Sequence, residues 1–404
     1  MTTDGTGPGR GGCGATSYLC QVLRRQVIAM LGGGQLGRMF IENALRYDAI
    51  VHVLDPDPQA PCARLAHRFV QGRFDDHDTV LAFAKDADVV GIEIEHVSLS
   101  ALEELAAMGK VVVPDPAALR TIQDKGTQKD FYAAQGIATA AYQLVSSKAE
   151  LAERITGYPV FVKARRGGYD GKGVTALKGP DELKSLFEGP YVLESCADIA
   201  KELAVVGVRD RQGNSAFYPL VEMVFDDALN LVDHLLAPAS VPFEVEEQAM
   251  DLARKVIDGL GSAGIFAVEL FLLRNGRVLV NETAPRVHNS GHFSMEACGS
   301  SQFDQLLRVL LGLPLGSTTM SGFAAMVNLI GQESEGIPKV EGLDVLLSQP
   351  DVFLHLYGKR KTRPGRKMGH VNFLAQDMDT LHERIKIVKE AVRIVPEPGL
   401  VDHS

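Results

Sequence analysis

Two glutamates, Glu269 and Glu282, stand opposite each other in a predicted β-hairpin. The apolar run 265–273 is followed by an Asn-Gly pair at 275–276, typical of a two-residue turn, and by a returning strand at 278–282. This register predicts a non-hydrogen-bonded pair, in which side chains approach most closely. Facing carboxylates destabilise a sheet unless a divalent cation, completed by phosphates and water, lies between them. A slipped register would turn both carboxylates to solvent, but the apolar residues around both favour a Mg²⁺-nucleotide site.

A glycine-rich turn at 167–173 supplies a second group of candidate residues. Lys163 ends an apolar strand, two arginines follow, and four of the seven turn residues are glycine. Glycines let backbone N–H groups wrap around phosphate oxygens, while the cations neutralise charge. The alternative is a flexible hairpin tip with solvated lysines. Farther along, Glu194 and Glu202 add polar groups where adenine and ribose could dock, so lysine, turn and hairpin together predict an ATP site.

Arg286 and His288 follow the second hairpin strand and are expected to project from the same end of it as Glu282. An arginine suits a bicarbonate or carboxyphosphate oxyanion. A histidine can act as a general base near neutral pH or simply orient a substrate. A single histidine is more often structural, but its place beside the arginine favours a role in the site.

The segment 359–367 holds six cations within nine residues, in a chain whose net charge is −10. Such a run is usually a solvated surface. Here Pro364-Gly365 predicts a turn that would present Lys359 and Arg366 to the phosphate of a ribonucleotide. Nucleic acid could bind the same patch, but no aromatic stacking platform accompanies it. The segment is therefore predicted to bind a substrate phosphate.

Strands and helices alternate in the first third of the chain, which predicts a parallel α/β sheet over 27–135. Predicted strands lie at 27–31, 50–54, 89–94 and 111–113, with helices at 38–45 and 99–108. Gly32, Gly34 and Gly37, with Asp55 after the next strand, fit a dinucleotide-binding fingerprint. A helix that begins at a glycine turn binds any anion, however. Because a nicotinamide enzyme would not explain the carboxylate hairpin, a dehydrogenase is only a distant alternative.

Two further units are predicted, at 136–220 and 221–404. The first opens with a capping box at Ser147–Glu150 and contains a strand at 160–163, and the second contains a helix at 244–260. Residues 1–26 are expected to be a disordered leader.

Composition fits a protein of two or three domains able to bury sizeable cores, with 404 residues of which 46% are hydrophobic and 23% charged. The negative net charge argues against a nucleic-acid binder, and no apolar run is long enough to span a membrane. The five cysteines show neither metal-ligand spacing nor a disulfide framework, which favours the cytoplasm.

Four motifs resemble the ATP-grasp superfamily, and within it the family of 5-(carboxyamino)imidazole ribonucleotide synthetases of purine biosynthesis. They are Gly32-Gly-Gly-Gln-Leu-Gly-Arg-Met39, Gly167-Gly-Tyr-Asp-Gly-Lys-Gly173, Asn281-Glu-Thr-Ala-Pro-Arg-Val-His-Asn-Ser-Gly-His292 and Arg363-Pro-Gly-Arg-Lys-Met-Gly-His370. The last two are the most specific. The resemblance extends from about Val27 to Phe373. It implies an α/β ATP-grasp fold of three domains with an N-terminal Rossmann-like parallel sheet, and ATP between the second and third domains.

The implied reaction is carboxylation of aminoimidazole ribonucleotide by bicarbonate, driven by ATP through carboxyphosphate, with release of ADP and phosphate. The implied metal ligands for Mg²⁺ are Glu269 and Glu282, and Lys163, Arg286 and His288 are catalytic candidates. The implied nucleotide-binding residues are Lys163, Gly168, Tyr169, Asp170, Gly171, Lys172, Gly173, Glu194, Glu202, Asn281 and Glu282. The implied substrate-binding residues are Gln35, Tyr169, Asp170, Arg286, His288, Asn289, Ser290, Lys359, Arg366 and Lys367. The chain departs from the family at Val113, usually arginine, and at Phe225, usually a histidine that contacts nucleotide.

Three other functions remain open at this point: biotin carboxylase, a formate-using ribonucleotide transferase, and a module that senses ATP without turnover. The resemblance also implies a homodimer and no membrane or nucleic-acid partner. A mutase domain is fused downstream in some family members, so a separate mutase enzyme is a further candidate partner.

Overall fold

The computed structural model describes residues 26–167, 173–226 and 231–397. Within these ranges the chain forms three larger sheets and one two-stranded sheet. None of the helices in the described ranges has the length and apolar character needed to cross a membrane. Of the cysteines, Cys62, Cys196 and Cys298 are described, and each is a free thiol.

The N-terminal unit is a parallel sheet, as the alternation of strands and helices predicts. Its order is β3–β2–β1–β4–β5, from β1 (Val27–Leu31), β2 (Ile50–Asp55), β3 (Arg68–Gln71), β4 (Val89–Ile92) and β5 (Val111–Val113). The helices of this region are α1 (Gln35–Leu45), α2 (His77–Ala84), α3 (Leu99–Ala107), α4 (Pro116–Gln123) and α5 (Lys125–Ala134). α1 starts at Gln35, three residues before the predicted position, because Gly34 is already its N-cap.

A four-stranded antiparallel sheet follows, in the order β6–β9–β7–β8. Its strands are β6 (Tyr142–Val145), β7 (Val160–Ala164), β8 (Val174–Leu177) and β9 (Tyr191–Ser195), with helix α6 (Lys148–Arg154) and a 3₁₀ turn at Pro180–Ser185. Ser147 caps α6 as predicted, since its side chain accepts from the N–H of Glu150, whose carboxylate accepts from Ser146 N.

The described part of the remaining chain forms an antiparallel sheet of nine strands. Its main order is β15–β14–β10–β12–β13–β16–β19–β18, and β11 pairs with β10. The strands are β10 (Ile199–Arg209), β11 (Ser215–Phe217), β12 (Val221–Asp226), β13 (Leu231–Ala237), β14 (Gly264–Leu273), β15 (Val278–Ala284), β16 (Phe323–Ile330), β18 (Val352–Leu356) and β19 (Lys367–Ala375). β17 (Pro338–Glu341) and β20 (Arg393–Pro396) pair separately.

The remaining helices of the described chain lie around the large sheet. They are α7 (Phe243–Leu260), α8 (Ser294–Ala297), α9 (Gln302–Leu311), α10 (Leu343–Leu347) and α11 (Met378–Ala391), with a 3₁₀ turn at Asn289–Gly291. α7 buries Val245, Ala249, Leu252 and Val256 at helical spacing and ends at Gly261, whose φ of 64° suits a left-handed cap. The predicted domain limits at 135 and 220 stay predictions; the change from the four-stranded to the nine-stranded sheet falls between β9 and β10.

The hairpin of β14 and β15 has the predicted facing pair but a different turn. Leu273 N–H donates to Arg277 O at 2.9 Å, so the loop has three residues, ending at Gly276 with φ 83°. The prediction of a two-residue turn was wrong, and this longer loop shifts the pairing by one. A β-bulge at Asn281 then restores it, because Leu270 pairs with Val280 while Glu269 pairs with Glu282.

Candidate active site

A cavity of about 330 Å³ lies between the four-stranded sheet and the nine-stranded sheet. The predicted site residues that line it are Lys163, Glu194, Glu202, Glu269, Asn281, Glu282, Arg286, His288, Asn289 and Lys367. Other predicted residues that the structure describes lie outside its lining: Gln35, Gly173, Ser290, Lys359 and Arg366. Gly168, Tyr169, Asp170, Gly171 and Lys172 lie outside the described residues. The cavity thus brings together side chains that are far apart in the sequence.

The facing glutamates share this cavity with a lysine that the sequence analysis missed. Lys125 Nζ forms an ion pair with Glu282 Oε2. Burial and the nearby Glu282 raise the pKa of Glu269. Burial acts in the same direction on Glu282, but Lys125 and Lys163 outweigh it and lower the pKa of that carboxyl. One signal for Lys125 was in the sequence: it is the first residue of α5, where a cation opposes the helix dipole and needs another reason to be there.

No cluster of three or more His, Cys, Asp or Glu residues suited to a metal ion occurs in the described ranges. The donor set available is therefore the two hairpin carboxylates. That set fits Mg²⁺, which proteins commonly hold by one or two carboxylates while phosphates and water complete its shell. It does not fit a closed structural metal site.

Lys163 lies on β7 and reaches across to the large sheet. Its ammonium is 2.9 Å from Glu194 Oε2 and 2.8 Å from Asn281 Oδ1. Glu194 also pairs with Lys129 at 2.8 Å, and both of these side chains are almost fully buried. Burial lowers the pKa of Lys129 to about 8 in spite of that carboxylate. Glu194, predicted at the nucleotide, thus serves as counter-ion to two lysines in this structure.

Glu202 and Phe225 lie on neighbouring strands of the large sheet, β10 and β12, and both line the cavity. Burial raises the pKa of Glu202 to about 7, although Lys163 acts in the opposite direction. Val113, the other departure from the family pattern, is buried within β5 and is not among the lining residues that the structure describes. Of these two departures, the phenylalanine is the one that changes the described wall of the cavity.

Arg286 is bound by a carboxylate of the N-terminal unit that the sequence analysis did not identify. Its guanidinium makes two hydrogen bonds to Glu95, which follows β4. Burial would raise the pKa of Glu95, but the arginine outweighs it and holds that pKa at about 2. This ion pair links the N-terminal parallel sheet to the cavity, although its two residues are 191 positions apart in the sequence.

His288 is oriented by its neighbours on both ring nitrogens. Nδ1 accepts from the backbone N–H of Ser290 at 3.3 Å and lies 3.0 Å from its hydroxyl. This leaves Nε2 to carry the proton, 3.4 Å from Glu269 Oε1. Ser290 is fully buried behind the ring, whereas Asn289 lines the cavity and its buried Nδ2 has no hydrogen-bond partner among the described residues.

The basic segment forms the predicted turn and contributes one cation to the cavity. Arg366 N donates to Arg363 O at 3.0 Å, and Gly365 has φ 75°, as a turn centred on Pro364-Gly365 requires. Lys367 lines the cavity, and its carbonyl accepts from Lys359 Nζ at 2.6 Å. Arg366 donates to the carbonyl of Lys361 at 2.8 Å.

Family models and known proteins match nearly the whole described chain. Residues 26–123 match a ribonucleotide synthetase preATP-grasp domain, residues 130–303 an ATP-grasp domain, and residues 324–384 a phosphoribosylaminoimidazole carboxylase C-terminal domain. The N5-carboxyaminoimidazole ribonucleotide synthase of Brucella melitensis is 38% identical over 85% of this chain and 95% of its own.

Solved structures give the same result. The N5-carboxyaminoimidazole ribonucleotide synthetase of Thermotoga maritima superposes with a TM-score of 0.83 at 38% identity, covering 92% of this chain and 100% of that one. The N5-carboxyaminoimidazole synthase of Aspergillus clavatus, in complex with ADP and 5-aminoimidazole ribonucleotide, has a TM-score of 0.80 at 34% identity, over 90% of this chain and 99% of that one.

Proposed function

Because the chain belongs to the family of N5-carboxyaminoimidazole ribonucleotide synthases, we propose that it carboxylates 5-aminoimidazole ribonucleotide with ATP and bicarbonate. ATP phosphorylates bicarbonate to carboxyphosphate, ADP leaves, and the carboxyl group passes to the ribonucleotide amine with release of phosphate. The observation that carries the proposal is one cavity holding the facing pair Glu269 and Glu282, Lys163, and the Arg286–His288 segment. The Aspergillus relative, solved with ADP and the same ribonucleotide, supports the choice of substrates.

Glu269 and Glu282 would hold Mg²⁺ together with ATP phosphates. When bound, the metal neutralises the phosphate oxygens during transfer. In its absence, Lys125 supplies the positive charge beside Glu282, and the raised pKa of Glu269 relieves repulsion between the carboxylates. Once the metal takes the place of Lys125 beside Glu282, the ammonium of Lys125 would be free to bind a phosphate oxygen. Together with Lys163 and Lys172, it would place three cations around the triphosphate.

The remaining nucleotide contacts divide between phosphates and nucleoside. Lys163 binds the α/β-phosphates, and the backbone of Gly168–Gly173 encloses the outer ones. Asn281, already 2.8 Å from Lys163 Nζ, fixes that ammonium as well as the nucleotide. Glu194 and Glu202 lie toward the adenine and ribose, where a carboxylate accepts hydrogen bonds from hydroxyl or amino groups.

Bicarbonate and the acceptor meet at the end of the hairpin. Arg286 neutralises the oxyanion of bicarbonate or carboxyphosphate, and Glu95 fixes the plane of its guanidinium. His288 orients the ribonucleotide beside its amine, and Ser290 orients the ring of His288. Asn289, Tyr169, Asp170 and Gln35 contact the acceptor. Its phosphate binds to the cations of the turn, Lys359, Arg366 and Lys367.

The same proposal includes a cytoplasmic homodimer and a separate mutase enzyme that uses the product. Neither nucleic acid nor membrane is a partner in it. The net charge of −10 supports the exclusion of nucleic acid.

Phosphate release from MgATP tests the proposal, measured with bicarbonate alone, with the ribonucleotide added, and with biotin in its place. Release that depends on the ribonucleotide, matched by loss of its free amine, is the expected result. Dependence on biotin would instead indicate a biotin carboxylase. ATP binding without release in any mixture would indicate a nucleotide sensor.

Glu282→Gln tests the metal assignment within that assay. It removes one of two carboxylates, and turnover should fall by about a hundredfold or more. Glu246→Gln, in the first turn of α7, is the matched control. Normal ATP consumption by Glu282→Gln would refute the assignment.

A further inference from the structure

The site is built on the outer edge of the large sheet. In the part of the chain that the structure describes, the sheet order ends at β15, so β14 is its one partner strand, and its other side has an isolated bridge from Val280 to Thr139. Glu282 lies in β15, and His288 follows four residues after its end. An edge strand leaves a row of N–H and C=O groups without ladder partners. The groups that bind this edge therefore also fix the positions of the Glu282 and His288 side chains.

Two buried glutamine side chains take the place of the missing strand. Gln128 on α5 accepts from Thr283 N and donates to Thr283 O, both at 3.1 Å. Gln302, the first residue of α9, accepts from His288 N and donates to His288 O, both at 2.8 Å. Each carboxamide thus makes the pair of hydrogen bonds that a neighbouring peptide would make. Gln128 is 4% exposed and Gln302 is fully buried.

The remaining part of this edge is covered by backbone. Val280 N donates to Ala138 O at 2.8 Å, and Val280 O accepts from the Thr139 hydroxyl at 2.7 Å. The edge from Val280 to His288 is therefore held at three points, and the two glutamines hold the points that adjoin the site.

We propose that Gln128 and Gln302 are positioning residues for the reaction, Gln128 for the metal carboxylate Glu282 and Gln302 for His288. This inference rests on the proposed function for the roles of those two groups. Gln128 fixes the peptide of Thr283, which adjoins Glu282 and lies two residues after the bulge at Asn281. It also lies one helical turn from Lys125, so the same contact holds that lysine against Glu282.

The geometry leaves little freedom at either contact. A carboxamide presents a donor and an acceptor in one plane, which no apolar side chain of that size does. At Gln302 the Asn289–Gly291 turn also closes directly on the side chain, since a Cβ on Gly291 would lie 2.5 Å from Gln302 Oε1. Gln302 Nε2 lies 2.9 Å from His292 Nδ1 as well, so it joins two histidines of the same turn.

A third glutamine offers a matched control. Gln305, one turn along α9, is fully buried and makes the same pair of bonds with Gly316, at 2.8 and 3.0 Å. Gly316 does not line the cavity. Replacing Gln305 by methionine therefore removes the same chemistry from the core without touching the site.

The experiment compares Gln128→Met, Gln302→Met and Gln305→Met in the full chain, below the unfolding temperature of all three. Mn²⁺ serves as the probe for Mg²⁺, and its Kd is measured by electron paramagnetic resonance with ADP present. Gln128→Met should raise that Kd about tenfold or more, as loss of a partner behind a metal ligand does. Gln302→Met should leave it within about twofold but lower kcat for phosphate release about tenfold.

Gln305→Met should lower the thermal stability but change neither the Kd of Mn²⁺ nor the kcat for phosphate release. Equal effects in all three variants, or an unchanged Mn²⁺ Kd in Gln128→Met, would overturn the proposal. If Gln128→Met does not fold, Gln128→Asn, which keeps an amide but is one methylene too short, takes its place with the same expectation. The Mn²⁺ titration needs no ribonucleotide, so failure of the proposed function in the native chain would leave its result interpretable. If the native chain does not use the ribonucleotide, the effect of Gln302→Met is measured by bicarbonate-dependent phosphate release.

Discussion

Two glycine-rich turns follow apolar strands in this chain, and groups of opposite charge surround them. After β1, Glu93 accepts from Gly34 N and Leu36 N at 2.9 and 3.1 Å, and Asp55 accepts from Gly33 N at 2.7 Å. β7 contains Lys163, which pairs with Glu194, and the strand is followed by Arg165 and Arg166, which both pair with Asp124. The carboxylates at the first turn bind its backbone N–H groups, whereas those at the second bind the cations that precede the turn.

The difference explains why the dinucleotide-binding fingerprint, which the sequence analysis gave little weight, does not form a dinucleotide site here. Glycines leave room beside backbone N–H groups, and that room suits any anion. In the N-terminal unit the end of β4 supplies the anion, because a Cβ on Gly32 or Gly34 would lie 2.6 Å from a Glu93 oxygen. A pyrophosphate therefore has no place there. The charge that enters a glycine turn is decided by distant residues and not by the glycines.

The largest expected effect is on the reaction rate, and it follows from removing Lys163 before the second glycine turn. Lys163→Ala removes the ammonium that joins Glu194 and Asn281, and ADP formation should fall about a hundredfold or more. Steady-state rates and the Kd of ADP measure it. The control is Lys184→Ala in the same unit, where the lysine side chain is 83% exposed. If both variants kept native rates, the cations of this turn would have no role in binding phosphate.

A substitution in the glycine turn after β1, where Glu93 accepts hydrogen bonds, should lower the free energy of unfolding. Gly34 has φ −76°, which alanine adopts easily, so Gly34→Ala isolates the effect of space. The new methyl would displace Glu93 and leave two N–H groups without an acceptor, at about 1–3 kcal/mol for each lost partner. Urea unfolding measures the loss. Gly179→Ala is the control, because a Cβ there meets nothing within 4 Å; equal losses in the two would mean that Glu93 does not fill the turn.

The two turns should also differ in the sign of their pH dependence. Burial raises the pKa of Glu93 above 4.5, although backbone N–H groups act against it. The native fold therefore gains stability as pH falls through that raised pKa toward the unfolded value. Because Glu93→Gln lacks this gain, its deficit relative to the native chain should grow toward acid pH.

Glu194 should behave in the opposite way. Burial alone would raise its pKa, but Lys163 and Lys129 outweigh that and lower it below 4.5. Its contribution is complete above the unfolded pKa and is lost as pH falls through the lowered value. The deficit of Glu194→Gln should therefore be largest at neutral pH and shrink in acid. Unfolding free energies of both variants between about pH 7 and about pH 3 test this, and parallel deficits would contradict it.

The smallest effect is expected at Gly167, at the start of the second turn. Its φ is 80°, but a Cβ there meets nothing within 4 Å. Gly167→Ala should cost only the left-handed conformation, about 1 kcal/mol. Urea unfolding beside Gly34→Ala measures the difference; a larger loss for Gly167→Ala would mean that the second turn is also filled from within.

The carboxylate hairpin shows how far local sequence patterns extend. The apolar run and the Asn-Gly pair correctly predicted β14, β15 and the facing of Glu269 and Glu282. The predicted turn was nevertheless wrong, and the facing pair survives only because the bulge at Asn281 offsets the extra loop residue. A bulge is favoured by what its side chains contact, here Lys163, and that partner lies 118 residues away.

The sequence by itself determined the strands, the parallel N-terminal sheet and the resemblance that named the family, because periodicity and short motifs are local properties of the chain. Only the tertiary structure decided which charges meet. Lys125 on Glu282, Glu95 on Arg286, Glu93 in the first glycine turn and Gln128 on Thr283 are pairs separated by 59 to 191 residues. No local pattern encodes such pairs, since each follows from how separate sheets pack and from the need of buried charges and backbone groups for partners.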